Sequence, residues 1–340
     1  MSELSYLEKL LDGVEVEWKT LKDVCDFKNG FAFKSSLFKE TGLPIVRITN
    51  IDGFNVDLDE VKYFSLNDYK EDLSSFEVSM GNILIAMSGA TTGKVGIYKK
   101  GIKCYLNQRV GKFIPKENIL NNNYLYHFLL LNTETIYILA GGGAQPNLSS
   151  NALMSKLLIP IPCPGNPEKS LAIQSEIVRI LDKFTELTAE LTAELTMRKK
   201  QYNYYRDQLL SFKEGEVEWK TLGEIGEFIR GKRFTKADYV EDGGISVIHY
   251  GEIYTRYGVY TTHSLSQVRA DMAASLRYAK HGDVVITDVG ETVEDVGKAV
   301  AWLGDDDIAI HDHCYAFRHS LNPKFISYYM QTDSFISEKA

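Results

Sequence analysis

Apolar residues recur at helical spacing through the middle of this chain. Ile173, Ile177, Ile180, Phe184, Leu187, Leu191, Leu195, Tyr202, Tyr205, Leu209 and Phe212 mostly follow steps of three and four residues, the rhythm of a coiled-coil seam. Around Leu187, Leu191 and Leu195 the steps become four and four, because the sequence reads TELTAELTAELT. A four-residue insertion in a heptad pattern is a stutter. Asn166-Pro167-Glu168 supplies an N-cap, a proline for the first turn and an acid for the positive end of the helix dipole. No glycine or proline follows until Gly215. The spacing predicts one helix of about 46 residues within the segment 166–214, roughly 70 Å long at about 1.5 Å per residue.

On both sides the pattern changes to short apolar runs rich in β-branched residues. PIVRI (44–48), NILIAM (82–87) and DVVIT (283–287) read as strands, each followed by glycine-rich turn chemistry. NNNYLYHFLLLNTETIYILA (121–140) returns to helical spacing through Leu125, Phe128, Leu129, Ile136 and Leu139, and predicts a helix. The two flanking regions also repeat one another. EVEWKTL stands at 15–21 and again at 216–222, a separation of 201. At the same offset Gly30 answers Gly231, GNILIAMSG (81–89) answers GDVVITDVG (282–290), and YLYHFLL (124–130) answers FISYYMQ (325–331). GKVGIY (93–98) answers GKAVAW (297–302) at 204. Offset changes this small are what loop insertions leave.

The chain therefore reads as a tandem duplication of α+β class. Two α/β-mixed domains, 1–165 and 215–340, are joined by a long coiled-coil spacer helix over 166–214. YLEKLLDGVEVEWKTL (6–21) resembles YYRDQLLSFKEGEVEWKTL (204–222), which predicts a short N-terminal helix from Glu3 to Leu11. Ala340 answers Leu139, so nothing answers 140–213 in the second copy. The expectation is a long helix without an antiparallel mate in its own chain. A second copy of the chain (a homo-oligomer) or another protein would supply the mate.

Composition narrows the class. Hydrophobic residues make up 44% and charged residues 25% of 340 residues, which is ordinary globular usage and enough for two cores. The N-terminus MSELSYLEKLLDG has no apolar run, so no signal peptide is expected. No segment approaches the roughly 18 apolar residues of a membrane span. Cys25, Cys104, Cys163 and Cys314 are scattered without a CxxC pair, as expected for reduced thiols in the cytoplasm. Net charge is -8, which at first argues against nucleic acid. Its distribution is uneven, with 17 basic and 18 acidic residues in 1–160, 8 and 8 in 161–214, and 13 and 20 in 215–340. A near-neutral domain can still present one basic face.

Candidate catalytic chemistry dissolves on inspection. SGATTGKV (88–95) has one residue too few for a phosphate loop, and Val95 stands where Ser or Thr must bind magnesium; a turn between strands fits better. NPKF (322–325) looks like part of an adenine-methyltransferase element, but Lys324 replaces its second proline, and it reads as a helix start. His311-Asp312-His313-Cys314 is the densest group of possible metal ligands, with both histidines expected on one strand face. No third ligand stands at a convincing spacing, so no metal is expected. Glu17-Trp18-Lys19 and Glu218-Trp219-Lys220 have a nuclease-like ending without a partner Asp; both tryptophans are expected to pack where helix meets domain.

What the copies share is frame: glycines, apolar runs and the EVEWKTL segment. What differs is polar loop filling, as in KNGFAFKSS against RGKRFTKAD. A fixed frame with variable polar loops is a recognition pattern. Two such modules on a rigid spacer would read two DNA sites at a fixed distance. The candidate contacts in the first domain are Lys28, Asn29, Lys34, Arg47, Thr91, Thr92, Gln108 and Arg109. In the second they are Arg230, Lys232, Arg233, His249, Tyr254, Arg256, Thr292, His311 and His313. Arg and Lys reach guanine or phosphate, and Asn and Gln pair with adenine. Two other classes fit the repeat: a protein-interaction scaffold that never touches nucleic acid, and a fused nuclease or methyltransferase. The missing catalytic motifs argue against the latter.

Several segments together resemble the specificity subunits of type I restriction-modification enzymes. They are both EVEWKTL copies, the GNIL and GDVV strand starts, GGGAQPNLS (141–149) with LLIPIPCP (157–164), and IQSEIVRILDKFTEL (173–187). The resemblance implies two target-recognition domains, each reading half of a split double-stranded DNA site. It implies that the chain has no chemistry of its own. Its helices would dock methyltransferase subunits, which carry S-adenosylmethionine, and restriction subunits would join through that complex. The second closing motif and second helix of the family pattern are missing here, which bears on the second methyltransferase contact.

Overall fold

The computed structural model of the protein describes residues 11, 13–142, 146–213 and 215–339. The expected N-terminal helix over 3–11 lies outside the described residues apart from Leu11. The chain forms two compact units, Met1–Glu190 and Leu191–Ala340.

In the first unit two four-stranded sheets carry the domain. One orders Cys25–Asn29, Val110–Pro115, Ile83–Ala86 and Val95–Ile97 side by side; the other orders Lys62–Phe64, Leu43–Val46, Cys104–Leu106 and Glu77–Val78. Leu43–Val46 and Cys104–Leu106 run parallel, with Ile45 opposite Tyr105. The strand residues of PIVRI and NILIAM bury because both faces are covered: Ile45, Val46, Ile83, Leu84 and Ile85 are fully enclosed. The predicted single helix over 121–140 is two, Asn122–Leu131 and Thr133–Leu139. Asn132 separates them, its side-chain amide donating to Phe128 O at 2.8 Å. Such local bonding is why Asn ends helices.

The second unit repeats this plan. Gly226–Arg230, Cys314–His319, Val284–Thr287 and Ala299–Trp302 stand in the order of the first sheet, with Tyr260–Thr261 added at the edge. Ile245–Ile248 and Ile308–Ile310 form the parallel pair of the other sheet. Helices also begin alike. Asn121 Oδ1 accepts from Asn123 and Tyr124 N–H at 2.9 and 3.1 Å, and Asn322 Oδ1 from Lys324 and Phe325 N–H at 3.0 and 3.2 Å. NPKF is therefore a helix start. A Cβ on Gly30 would meet Asn107 O at 1.9 Å and one on Gly231 would meet His311 O at 2.1 Å. Only glycine admits these close backbone approaches.

The two EVEWKTL copies part company at one point. Val16–Thr20 is a strand because it pairs with Leu158–Pro162, Trp18 opposite Pro160. The second copy forms no strand and only a lone bridge residue at Val217, for among the described residues of 215–339 nothing answers Leu158–Pro162. Both copies still end in a one-turn helix. Thr20 N–H and Thr221 N–H donate to the carboxylates of Asp23 (3.2 Å) and Glu224 (2.7 Å). The two tryptophans are more exposed than expected, Trp18 at 61% and Trp219 at 57%, although the Trp219 ring lies 6.4 Å from that of Tyr329 and lines a cavity with Phe212, just past the long helix.

The long helix runs from Pro167 to Leu209, 43 residues. Asn166 caps it, Oδ1 accepting from Lys169 N–H at 3.0 Å. It ends short of the expected 214, so Phe212 lies beyond it. Its first turns belong to the first unit: Ile173, Gln174 and Val178 are buried, Ile177 packs on the first domain's core, and Ile180 is half-buried. Gln174 accepts from Asn121 N–H at 2.8 Å and donates to Ile119 O at 2.9 Å. From Leu181 to Tyr205 every residue is exposed, including Phe184 (54%), Leu187, Leu191 (66%) and Leu195 (56%). Tyr202, Tyr205 and Leu209 line an apolar cavity of about 490 Å³ with Phe325 and Tyr328 of the second unit.

Candidate nucleic-acid interface

One concave surface of the first domain gathers predicted residues from distant stretches. Asn29, Gln108 and Arg109 line a pocket of about 950 Å³ with Ser88, Gly89, Asn147, Ser149 and Ser150. Asn29 Nδ2 donates to Ser150 Oγ at 3.3 Å. Gln108 and Arg109 sit at the centre of a turn closed by Val110 N–H donating to Asn107 O at 2.8 Å, so both side chains stand exposed. Met87, which also lines the pocket, continues the buried strand Ile83–Ala86, its N–H donating to Arg109 O at 2.9 Å. The pocket thus carries amide, hydroxyl and guanidinium groups on a rigid sheet.

The second domain builds the same frame. Gly231 N–H donates to Cys314 O at 2.9 Å, as Gly30 N–H does to Val110 O at 2.9 Å. Asp288 N–H donates to His313 O at 3.1 Å, matching Met87 with Arg109. Cys314 N–H donates to His311 O at 2.9 Å, closing the turn that holds Asp312 and His313. Here the polar groups pair with one another. His313 Nδ1 lies 3.2 Å and Arg230 Nη2 3.8 Å from the Asp288 carboxylate. Arg230 Nε donates to Asp312 O at 3.0 Å.

Other predicted contacts fall elsewhere, and two are corrected. Thr92 is 6% exposed, its hydroxyl bonding Gly89 O (2.7 Å) and Pro146 O (3.1 Å); it braces the turn that SGATTGKV forms. His311 is also 6% exposed, its Nε2 3.2 Å from Phe234 O and its ring against Phe234 and His249. Both side chains are buried and bonded within the protein rather than offered to a partner as expected. The expected strand face carrying both His311 and His313 is a turn, the strand starting only at Cys314. Thr91 Oγ1 reaches Ile48 O at 3.3 Å. Lys28 Nζ sits 4.3 Å over the Phe76 ring. Arg47 is half-buried, and Lys34, Lys232, Arg233 and Arg256 are exposed. Thr292 is tied to Asp295 at 3.0 Å, and His249 and Tyr254 are half-buried. Sequence reasoning missed Ser88, the first residue of SGATTGKV, the residues Asn147, Ser149 and Ser150 in or beside GGGAQPNLS, and Asp288 and Asp312, the counterparts of Met87 and Gln108.

Among the described residues no three His, Cys, Asp or Glu side chains could share a metal ion. Burial pushes the Cys25 thiol up to about 12 and Cys104 up to about 11, the opposite of an activated nucleophile. Burial also holds His249 and His311 below the ordinary imidazole value of 6.5, while Glu252 and Asp312 pull His249 upward and Asp312 pulls His311 upward. The unfolded chain then binds protons that the folded domain refuses, so its stability falls as pH drops below 6.5. Urea unfolding followed through buried Trp302, with Trp18 and Trp219 replaced by Phe, is expected to show a lower midpoint at pH 6.0 than at 7.5. Equal midpoints contradict this.

The profile described as "Type I restriction modification DNA specificity domain" matches residues 13–197. The chain is 44% identical over 250 residues to the "Type I restriction enzyme EcoR124I/EcoR124II specificity subunit" of Escherichia coli, covering 72% of this chain and 57% of that protein. It is 31% identical over 335 residues to a putative type I restriction enzyme specificity subunit of Haemophilus influenzae, covering 92% of this chain and 78% of the relative. A crystal structure of a type I restriction-modification S subunit from M. genitalium superposes with a TM-score of 0.55 at 17% identity, covering 96% of this chain and 80% of that one. The chain belongs to the type I restriction-modification specificity-subunit family. It spans less than two thirds of the Escherichia coli relative's length. No described helix is long and apolar enough to cross a membrane.

Proposed function

We propose that this chain is the non-catalytic DNA-reading subunit of a type I restriction-modification complex in the cytoplasm. Each domain reads one half of a split duplex site. The spacer helix docks methyltransferase subunits, which bring S-adenosylmethionine, and restriction subunits join through that assembly. The observation that carries this reading is the repeated frame: equivalent backbone positions present Asn29, Gln108 and Arg109 in one domain and Arg230, Asp312 and His313 in the other. The relatives named as specificity subunits support it.

A net charge of -8 leaves the chain alone little counterion to release on DNA. Purified chain is therefore expected to bind duplex DNA weakly and to neither methylate nor cleave it. Adding methyltransferase subunits is expected to give tight, salt-dependent binding. Fluorescence anisotropy across a salt series, with and without the methyltransferase, checks this. Methylation or cleavage by the chain alone would defeat the reading, and absence of duplex binding in both arms would favour a protein-interaction scaffold.

A further inference from the structure

The duplicated frame allows each reading position to be paired with its counterpart. Asn29 precedes Gly30 as Arg230 precedes Gly231, and the bonds of those two glycines match. The turn Asn107–Val110 matches His311–Cys314, which places Gln108 with Asp312 and Arg109 with His313. Met87 matches Asp288. Asn29, Gln108, Arg109 and Arg230 are exposed, and Asp288, Asp312 and His313 are half-buried.

We propose that these matched triads, Asn29-Gln108-Arg109 and Arg230-Asp312-His313, determine the two half-sites, and that Asp288 commits the second to a base with an exocyclic amine. The inference rests on the DNA-reading function proposed above. In the first domain the amides can pair with adenine and the guanidinium with guanine. In the second, two carboxylates stand where the first has Met87 and Gln108. Carboxylates repel phosphates, so this cluster suits base edges rather than backbone. An accepting carboxylate matches the amine of cytosine or adenine in the major groove. Asp288 and Asp312 O hold Arg230 from two sides, which fixes its fork for a neighbouring guanine. The second half-site is thus expected to hold cytosine or adenine beside guanine.

The test maps methylated DNA in the native host carrying chromosomal variants. Arg109→Ala is expected to relax one or two adjacent positions of a single half-site, discrimination there falling about tenfold to a hundredfold. Asp288→Asn is expected to relax the amine-bearing position of the other half-site. A transplant of Asn29→Arg, Met87→Asp, Gln108→Asp and Arg109→His is expected to alter bases of the first half-site and leave the second half-site and the gap unchanged. An unaltered motif from a transplant that melts like wild type, or from both single variants, overturns the triads. Equal loss at both half-sites in Arg109→Ala does so too. Wild-type cells without a split motif that depends on the chain would instead overturn the DNA-reading function itself.

Discussion

Inserting one Thr-Ala-Glu-Leu unit after Leu195 is expected to keep both half-site sequences and lengthen the unread gap between them by about one base pair. Thr188–Leu191 and Thr192–Leu195 are two such units in an unbroken helix. Thr188 Oγ1 donates to Phe184 O, and Thr196 Oγ1, just past the second unit, to Thr192 O, each at 2.8 Å, so these hydroxyls are satisfied within the helix. Four residues lengthen a helix by about 6 Å and turn it by roughly 40° beyond a full circle. One base pair advances about 3.4 Å and turns about 35° at roughly 10–10.5 base pairs per turn. The rotations nearly agree, and a four-residue insertion leaves the leucine seam on one side. Removing a unit should shorten the gap correspondingly. Methylated sites with an unchanged gap, or with changed half-site bases, would sink the ruler idea.

The second large effect concerns the seam itself. Phe184 and Leu191 are exposed in the chain alone, an apolar row that marks an interaction surface. Phe184→Lys together with Leu191→Lys should leave the fold intact, because lysine favours helix and both sites are open to water. Assembly with the methyltransferase should weaken greatly. Two large apolar side chains contribute about 3–6 kcal/mol if fully buried, equivalent to roughly two to four orders of magnitude in affinity. Sedimentation of the mixture, with circular dichroism of the free variant as control, measures both. Assembly as tight as wild type would show that the seam is not the docking face. Self-association of the wild-type chain, lost in the variant, would identify a second copy as the mate.

The spacer helix was legible because its period survives over many turns and its cap, Asn166, is local. The duplication was legible because glycines and strands that build the frame cannot drift. Gly30 and Gly231 answer the same close contact. The EVEWKTL segment shows where local sequence stops deciding. Five of the seven identical residues form a strand in the first copy and none in the second, because a strand needs a partner and, among the described residues, Leu158–Pro162 pairs with the first copy alone.

The site was half legible. Asn29, Gln108 and Arg109 were identified by chemistry, but nothing local says that Ser88, Asn147 and Ser150 join them; the sheet brings them together. His311 and Thr92 misled for the opposite reason. Their polar groups bond to backbone carbonyls, a use of polarity that composition does not distinguish from recognition. Asp288 already answers Met87 in the GNILIAMSG and GDVVITDVG blocks, whereas the pairing of Asp312 with Gln108 emerged only when matched backbone bonds aligned the two turns.

The central claim is that this chain sets a split DNA target. Its most direct test is a methylation map of the native host before and after deletion of the gene. The account predicts one motif of two half-sites at a fixed spacing, present with the chain and lost without it. A methylated motif that persists after deletion, or that is contiguous rather than split, would contradict it.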